Sequence, residues 1–187
     1  MLRKILFKIS ARMPCRLIQR SPGEPYLERY FVAELFGFRV YLHRFVGCDG
    51  DEETHDHPWN ACSFVLAGQY EQDVTTGLSG ALGVVNERQT VRWFSRIPSN
   101  LFHRIVKTVP ETWTLFIHRP RVTVDGVEKG WGWLKTERTG FPWLESSSEG
   151  EGWNAERVYY RAQKPGDPHW ERSCVFGAQA GREPYVS

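Results

Sequence analysis

His55 and His57, two histidines separated by one residue, are the clearest candidates in this sequence for a chemical role. Successive side chains of a β-strand point to opposite faces, so two histidines at this spacing share a face and their imidazoles can converge on one ion. Imidazole binds iron, nickel, copper and zinc, so the pair predicts a metal site without identifying the metal. A third ligand has to come from elsewhere in the chain.

His103 is the candidate for that third ligand. It follows a turn that contains Pro98 and Asn100, and it stands at the start of an apolar run typical of a strand. In an antiparallel barrel, this strand can lie beside the segment that carries His55 and His57. The sequence therefore predicts a metal site on His55, His57 and His103.

The elements that must position these histidines are short strands. Between residues 28 and 120, apolar runs alternate with turns at a spacing of roughly ten residues, which is typical of a sandwich or a small barrel. The residues that follow are more polar and richer in turns. We therefore predict a barrel over residues 23–144, preceded by a helix over residues 1–22 and followed by an irregular extension over residues 145–187.

The first histidine segment resembles the first motif of the cupin superfamily. Gly50, the His55/His57 pair and the run Val65-Leu66-Ala67-Gly68 match that motif. The resemblance covers roughly residues 38–120. It implies an all-β, cupin-type double-stranded β-helix (jelly-roll) barrel.

The second cupin motif is also present. Pro98 and His103 match it, and Asn100 stands where a glycine is usual. Asparagine tolerates the left-handed backbone that glycine supplies, so this replacement is compatible with the motif. The resemblance thus implies the same three metal ligands that the spacing predicts.

The sequence departs from the cupin pattern at one ligand. Ala61 or Cys62 stands where cupins carry a glutamate. Cysteine dioxygenases are cupins that also lack this glutamate, hold iron on three histidines and carry a cysteine in this region. This similarity implies a catalytic role for Cys62. In that family the cysteine is cross-linked to a tyrosine, and no such tyrosine is assigned here. Tyr70, on the following strand, is the second catalytic candidate, although a solvated strand face explains it equally well.

Three other residues have weaker functional interpretations. His43 and His118 lie on predicted strands and can point into the barrel, and Asp56 can orient a ligand imidazole. The stretch from residue 42 to residue 59 is also similar to a group of uncharacterised bacterial and phage cupins, which implies no particular activity.

Three functions remain open at this point. The first is an Fe(II)-dependent dioxygenase without an organic cofactor, acting on a small organic substrate such as a thiol or a carboxylate. The second is a metal-dependent isomerase, and the third is a non-catalytic module that binds a small molecule or a partner. Fe(II) is the expected divalent metal, with Zn, Ni and Mn as alternatives.

The N-terminal residues predict a short basic amphipathic helix. Leu2, Leu6, Ile9 and Met13 recur at helical spacing, and Pro14 would end the helix. The longest apolar run is too short for a secretory signal. We expect this helix to cap the barrel mouth; a membrane-surface or partner-binding helix is the alternative.

Composition limits the partners and the location. The net charge is +2, and basic and acidic residues alternate after residue 20, so no nucleic-acid partner is predicted. No stretch approaches the length of a membrane span, and no membrane partner is expected. The four cysteines are widely and irregularly spaced, which favours free thiols and a cytoplasmic location. A homodimer is expected because cupin barrels often pair through their edge strands.

Overall fold

The computed structural model describes residues 1–21, 24–48, 53–79, 83–124, 126–130, 132–139, 152–158 and 176–185. Within these residues the chain forms one helix and thirteen strands: α1 (Leu2–Ser10), β1 (Cys15–Ser21), β2 (Glu24–Leu35), β3 (Phe38–Phe45), β4 (Trp59–Ala67), β5 (Tyr70–Ser79), β6 (Gly83–Val91), β7 (Phe94–Ile97), β8 (His103–Thr108), β9 (Thr112–Arg121), β10 (Thr123–Val124), β11 (Val127–Glu128), β12 (Trp133–Thr139) and β13 (Gly152–Val158). No helix in the described ranges is long and apolar enough to span a bilayer.

Nine of the strands form two antiparallel sheets that together have jelly-roll topology, and the other four form the two-stranded pairs β10-β11 and β12-β13. One sheet has the order β1-β2-β3-β9-β4-β7, and the other has the order β6-β5-β8 and is extended by a bridge between His55 and His103. From β3 to β9 the chain crosses repeatedly between the sheets: β3, β4, β7 and β9 lie in the six-stranded sheet, whereas the segment around His55, the β5–β6 hairpin and β8 lie in the other. This order is that of the eight-stranded jelly roll. The predicted all-β, cupin-type fold is confirmed.

The core between the sheets is built from alternating residues of each strand. Along β4, Ala61, Ser63 and Val65 are buried, whereas Phe64 and Leu66 are exposed. Ala61 packs with residues of β3, β7 and β9, and Val65 packs with residues of β5 and β6. Core packing therefore fixes the inner face of β4, the strand that begins two residues after His57.

Gly68 closes the β4–β5 turn and explains the glycine that ends the first cupin motif. Its φ of +80° lies in the left-handed region, which favours glycine. A Cβ atom at this position would approach Thr112 Oγ1 to 2.4 Å and Thr112 Cα to 2.9 Å. Only glycine fits both the backbone angle and the space.

The helix α1 packs on the outer face of the six-stranded sheet. Its Leu6 lies in a buried cluster with Tyr30, Leu42 and Trp113. Leu42 alternates along β3 with Tyr41, which packs between the sheets. The expectation that the helix caps the barrel mouth is therefore wrong, because its Leu6 and Phe7 pack on this outer face instead.

The described parts of the C-terminal extension are tied to the rest of the chain. Residues 152–158 form β13, which pairs with β12, so this part is regular where an irregular extension is predicted. Residues 176–185 return to α1: the Gly177 N–H donates to Met13 O at 2.9 Å, and Arg182 Nη1 donates to Phe7 O at 2.9 Å. Buried Arg44 donates to the carbonyl of Glu183. Residues 145–151, 159–175 and 186–187 of the predicted extension lie outside the described ranges.

Candidate metal centre

The structure brings His55, His57 and His103 together at one side of the barrel interior. His55 and His103 are paired by two backbone hydrogen bonds of 3.0 and 2.9 Å, and His57 follows two residues along the same segment. The three ring centroids lie 5.1 to 5.8 Å from one another. This clustering follows from the register between the histidine segment and β8.

His57 and His103 face each other directly. Their Nε2 atoms lie 2.9 Å apart. The other ring nitrogen of His103, Nδ1, is 3.1 Å from Oε1 of Gln72, which is buried on β5. The amide oxygen can only accept, so His103 carries its proton on Nδ1 and its Nε2 presents a lone pair. Gln72 thus holds His103 in the tautomer that a metal ligand needs.

The protonation states of these two histidines also suit metal binding. Burial, together with neighbouring His55, lowers the pKa of His103 to about 3. Burial also lowers the pKa of His57 well below its usual range, and His103, His55, Arg29 and Lys129 add to that effect. A metal ligand has to be the neutral imidazole. Both rings are in that form at neutral pH without needing to lose a proton.

The spacing of the pair matches a shared ion. Metal–nitrogen bonds of about 2.0–2.1 Å place two nitrogens of one coordination sphere about 3 Å apart, close to the 2.9 Å between the Nε2 atoms of His57 and His103. In the described ranges, however, no group of three or more His, Cys, Asp or Glu side chains is arranged so that it could hold an ion as it stands. The donor set and the His57–His103 pair fit a divalent metal.

The segment that carries His55 and His57 is anchored by a buried ion pair. Lys129 Nζ lies 2.8 Å from Asp56 Oδ2 and also donates to the carbonyls of His57, at 2.8 Å, and Ser99. The Gly132 N–H donates to Asp56 Oδ1 at 2.9 Å. Asp56 thus binds Lys129 and the backbone, and it fixes the backbone between the two histidines.

Aromatic rings of the six-stranded sheet form a wall next to the three histidines. Trp59 stacks on His57 at 5.8 Å and on His118 at 4.6 Å, and His118 stacks on Tyr41 at 5.6 Å. His43 is buried in this wall, stacked on Phe116 at 4.8 Å. The predicted inward orientation of His43 is thus observed, and His118 lines the same surface while half-buried.

Arg29 adds a positive charge to this wall. Its Nε donates to His43 Nε2 at 3.1 Å, and its guanidinium lies 5.4 Å from the centre of the Tyr41 ring. Burial lowers the pKa of His43 well below its usual range, and Arg29 lowers it further. Arg29 also contributes to the low pKa of His57, so its charge acts on the histidine cluster.

The structure does not bring Cys62 to the histidines. Cys62 alternates along β4 with the inward-facing Ala61 and Ser63, so its side chain lies on the outer face of the sheet, where it is half-buried. Partial burial raises the pKa of its thiol, which favours the protonated form. Its placement gives no support to the catalytic role that the dioxygenase resemblance implies.

Tyr70 lies inside the barrel, where it is part of the hydrophobic core. It packs with Val65 and Val91, and its hydroxyl contacts the side chains of Ser63 and Ser95. Burial raises the pKa of this hydroxyl. Tyr70 is therefore a buried packing residue, and the structure shows no contact between it and a histidine of the cluster.

Comparisons with known proteins find only weak similarities. No family model matches the chain, and no curated protein matches it. Among solved structures, a cupin-2 domain from Rhodospirillum rubrum is 10% identical with a TM-score of 0.43, the match covering 59% of this chain and 72% of that one. KdgF from Halomonas sp. is 17% identical with a TM-score of 0.37, covering 54% and 85%. A variant of oxalate decarboxylase from Bacillus subtilis is 13% identical with a TM-score of 0.40, covering 64% and 30%.

These similarities are too weak to carry an argument about activity. The strand order is independent of them and defines a jelly-roll barrel, with the residues of both cupin motifs where two adjacent strands meet. The chain therefore has a cupin-type jelly-roll fold. Within it, the chain has three clustered histidines and, on β4, Ala61 and Cys62 where a glutamate ligand is usual.

Proposed function

We propose that this cupin binds one divalent metal ion, Fe(II) by preference, on His55, His57 and His103, and acts as a dioxygenase on a small organic anion. The observation that carries the proposal is the convergence of three histidines, two of them neutral and 2.9 Å apart at Nε2. When bound, the ion would supply open coordination positions for O₂ and substrate, because the protein provides only three ligands.

The charge around the cluster supports an anionic substrate. Burial is the largest cause of the low pKa of His57, and Arg29 lowers that pKa further, so Arg29 places positive charge near the cluster. Lys129 acts in the same direction, but its charge is paired with Asp56. Three neutral imidazoles leave the charge of a divalent ion uncompensated, in contrast to a ligand set that includes a carboxylate. A thiolate or carboxylate would be attracted to such a site.

Trp59 can orient such a substrate. Its indole Nε1 is buried without a hydrogen-bond partner among the described residues, and its ring stacks on His57. An indole N–H is a donor only, and a buried donor without an acceptor is costly. An oxygen of a bound substrate would satisfy it and would be held beside the histidines.

A non-catalytic binding barrel is the second candidate, and one observation favours it. The 2.9 Å contact between His57 Nε2 and His103 Nε2 is also a hydrogen-bond distance, so the pair can be satisfied without an ion. In that case the histidines and Trp59 would be polar contacts for a small molecule. The cytoplasmic location, the homodimer and the lack of a nucleic-acid partner remain predictions.

Oxygen consumption tests the dioxygenase directly. Protein reconstituted anaerobically with Fe(II) would be mixed with oxygenated buffer and a panel of small thiols and carboxylates, with His57→Ala as the control. Oxygen uptake that depends on both substrate and His57 supports the proposal. Substrate conversion without oxygen uptake would indicate the isomerase, and ligand binding without conversion would indicate the binding barrel.

A further inference from the structure

The outward face of α1 carries apolar side chains that no part of the described chain covers. Leu2, Ile5 and Ile9 are 49%, 46% and 45% exposed, at a spacing of three and four residues that places them along one stripe. The helix does not need this stripe to pack on the barrel. Leu6 and Ser10, one position away from Ile5 and Ile9, form the buried face.

The helix is held rigidly by that buried face. Arg182 Nη1 donates to Phe7 O and to Ser10 Oγ at 2.9 and 3.0 Å, and its guanidinium lies 3.7 Å from the centre of the Phe7 ring. Leu6 packs on the outer-face cluster of the six-stranded sheet. The exposed stripe is therefore a fixed surface of the folded protein.

The charge beside this stripe has one sign. Residues 1–23 contain six basic side chains and no acidic one; the first acidic residue is Glu24. Lys4, Lys8 and Arg12 are exposed on the same helix and the turn that follows it. In contrast, residues 24–187 contain 18 basic and 22 acidic side chains, which are mixed along the chain.

We propose that α1 binds an anionic phospholipid surface, with Leu2, Ile5 and Ile9 inserted among the acyl chains and Lys4, Lys8 and Arg12 on the headgroups. Helices that lie in a membrane interface combine an apolar stripe with a flanking basic face in this way. Lysine and arginine next to a negatively charged leaflet add to the apolar contribution. This proposal departs from the sequence-based expectation of no membrane partner and is independent of the metal centre.

The apolar stripe distinguishes a lipid surface from nucleic acid. A phosphate backbone would use the lysines and arginines but would leave Leu2, Ile5 and Ile9 in water. A bilayer interface uses both sets at once. The decisive variants are therefore those that change the apolar residues while retaining every basic one.

Vesicle flotation tests the proposal with the full-length protein. Vesicles that contain phosphatidylglycerol would be compared with vesicles of pure phosphatidylcholine. The variants are Ile5→Glu/Ile9→Glu and Lys4→Glu/Lys8→Glu, and the matched control is Val32→Glu, an equally exposed apolar residue on β2. All substituted positions are exposed, and an unchanged thermal unfolding midpoint verifies that each variant is folded.

The expected result is binding to the anionic vesicles alone, weakened by salt and reduced by about tenfold or more in both helix variants. Val32→Glu should bind as the unmodified protein does. No binding to anionic vesicles, or binding that survives Ile5→Glu/Ile9→Glu, would overturn the proposal. Binding to a DNA duplex that is equally strong in Ile5→Glu/Ile9→Glu, without vesicle binding, would assign the basic face to nucleic acid instead.

Discussion

Lys129 Nζ lies 2.8 Å from Asp56 Oδ2, and both side chains are almost completely removed from solvent. This ion pair joins the residue between His55 and His57 to a segment more than seventy residues further along the chain. The histidine segment has no regular strand of its own, only isolated bridges to His103 and Trp133. Its geometry therefore depends on this ion pair.

Replacement of Lys129 by methionine should destabilise the protein strongly. The substitution leaves the Asp56 carboxylate buried without its cation, which typically costs about 3–5 kcal/mol. Urea unfolding would measure the loss. The double variant Asp56→Asn/Lys129→Met should lose less than the two single variants together, because no charge is left buried. Lys107→Met, at a largely exposed lysine, should change stability by less than about 0.5 kcal/mol; equal effects at Lys129 and Lys107 would contradict this role.

Gln72 should matter for metal affinity more than for folding. Without the acceptor at Gln72 Oε1, the His103 ring is no longer fixed with its proton on Nδ1. Loss of such a partner typically weakens metal binding by about 10- to 100-fold. Calorimetric titration of Gln72→Leu with Zn(II) or Co(II) would measure it. The control is Gln89→Leu, which removes the 3.5 Å contact to Gln72 Nε2. Its metal affinity should stay within a few-fold of that of the unmodified protein.

The free energy of unfolding should fall as the pH drops below about 6.5. Burial keeps the pKa of His43 low in the folded state, so the unfolded chain takes up a proton that the folded chain cannot. The unfolded state then binds more protons, and stability declines with falling pH; His57 and His103 act in the same direction. In His43→Gln this decline should be shallower by up to about 1.4 kcal/mol per pH unit. Urea unfolding of both proteins above and below pH 6.5 would measure this pH dependence. An identical decline of the free energy of unfolding in the two proteins would show that His43 is protonated in the folded protein.

Cys62→Ala should leave metal content and oxygen consumption unchanged. The thiol lies on the outer face of β4, away from the interior that holds the histidines. Replacement of a half-buried side chain of this size should cost no more than about 1 kcal/mol. A loss of metal or of turnover in this folded variant would restore the catalytic role that the dioxygenase resemblance implies.

The fold and the histidine cluster could be predicted because the features that determine them are local in the sequence. The pair at His55 and His57 and the turn before His103 are local features, and the jelly-roll register then places their strands side by side. Gly68 is predictable in the same way, because the turn itself requires a left-handed backbone angle at this position.

The supporting residues could not be predicted because their partners are set by long-range packing. Gln72 reaches His103 only through the pairing of β5 with β8, and Lys129 reaches Asp56 from a separate segment. The outward orientation of Cys62 could not be predicted either, because β4 reverses the usual pattern: its outward side includes Phe64 and Leu66, whereas small Ala61 and Ser63 face inward. Hydrophobicity alone therefore indicates the wrong face of this strand.

The metal content of the purified protein tests directly whether the three histidines bind a metal ion. Untagged protein, incubated anaerobically with Fe(II) and desalted, would be analysed by plasma mass spectrometry beside His57→Ala. His118→Gln serves as the control, because it changes a histidine of the aromatic wall and keeps all three proposed ligands. We expect close to one equivalent of iron in the unmodified protein and in His118→Gln, and almost none in His57→Ala. Equal iron in all three proteins, or none in any of them with Fe, Zn, Ni or Mn, would contradict a three-histidine metal centre.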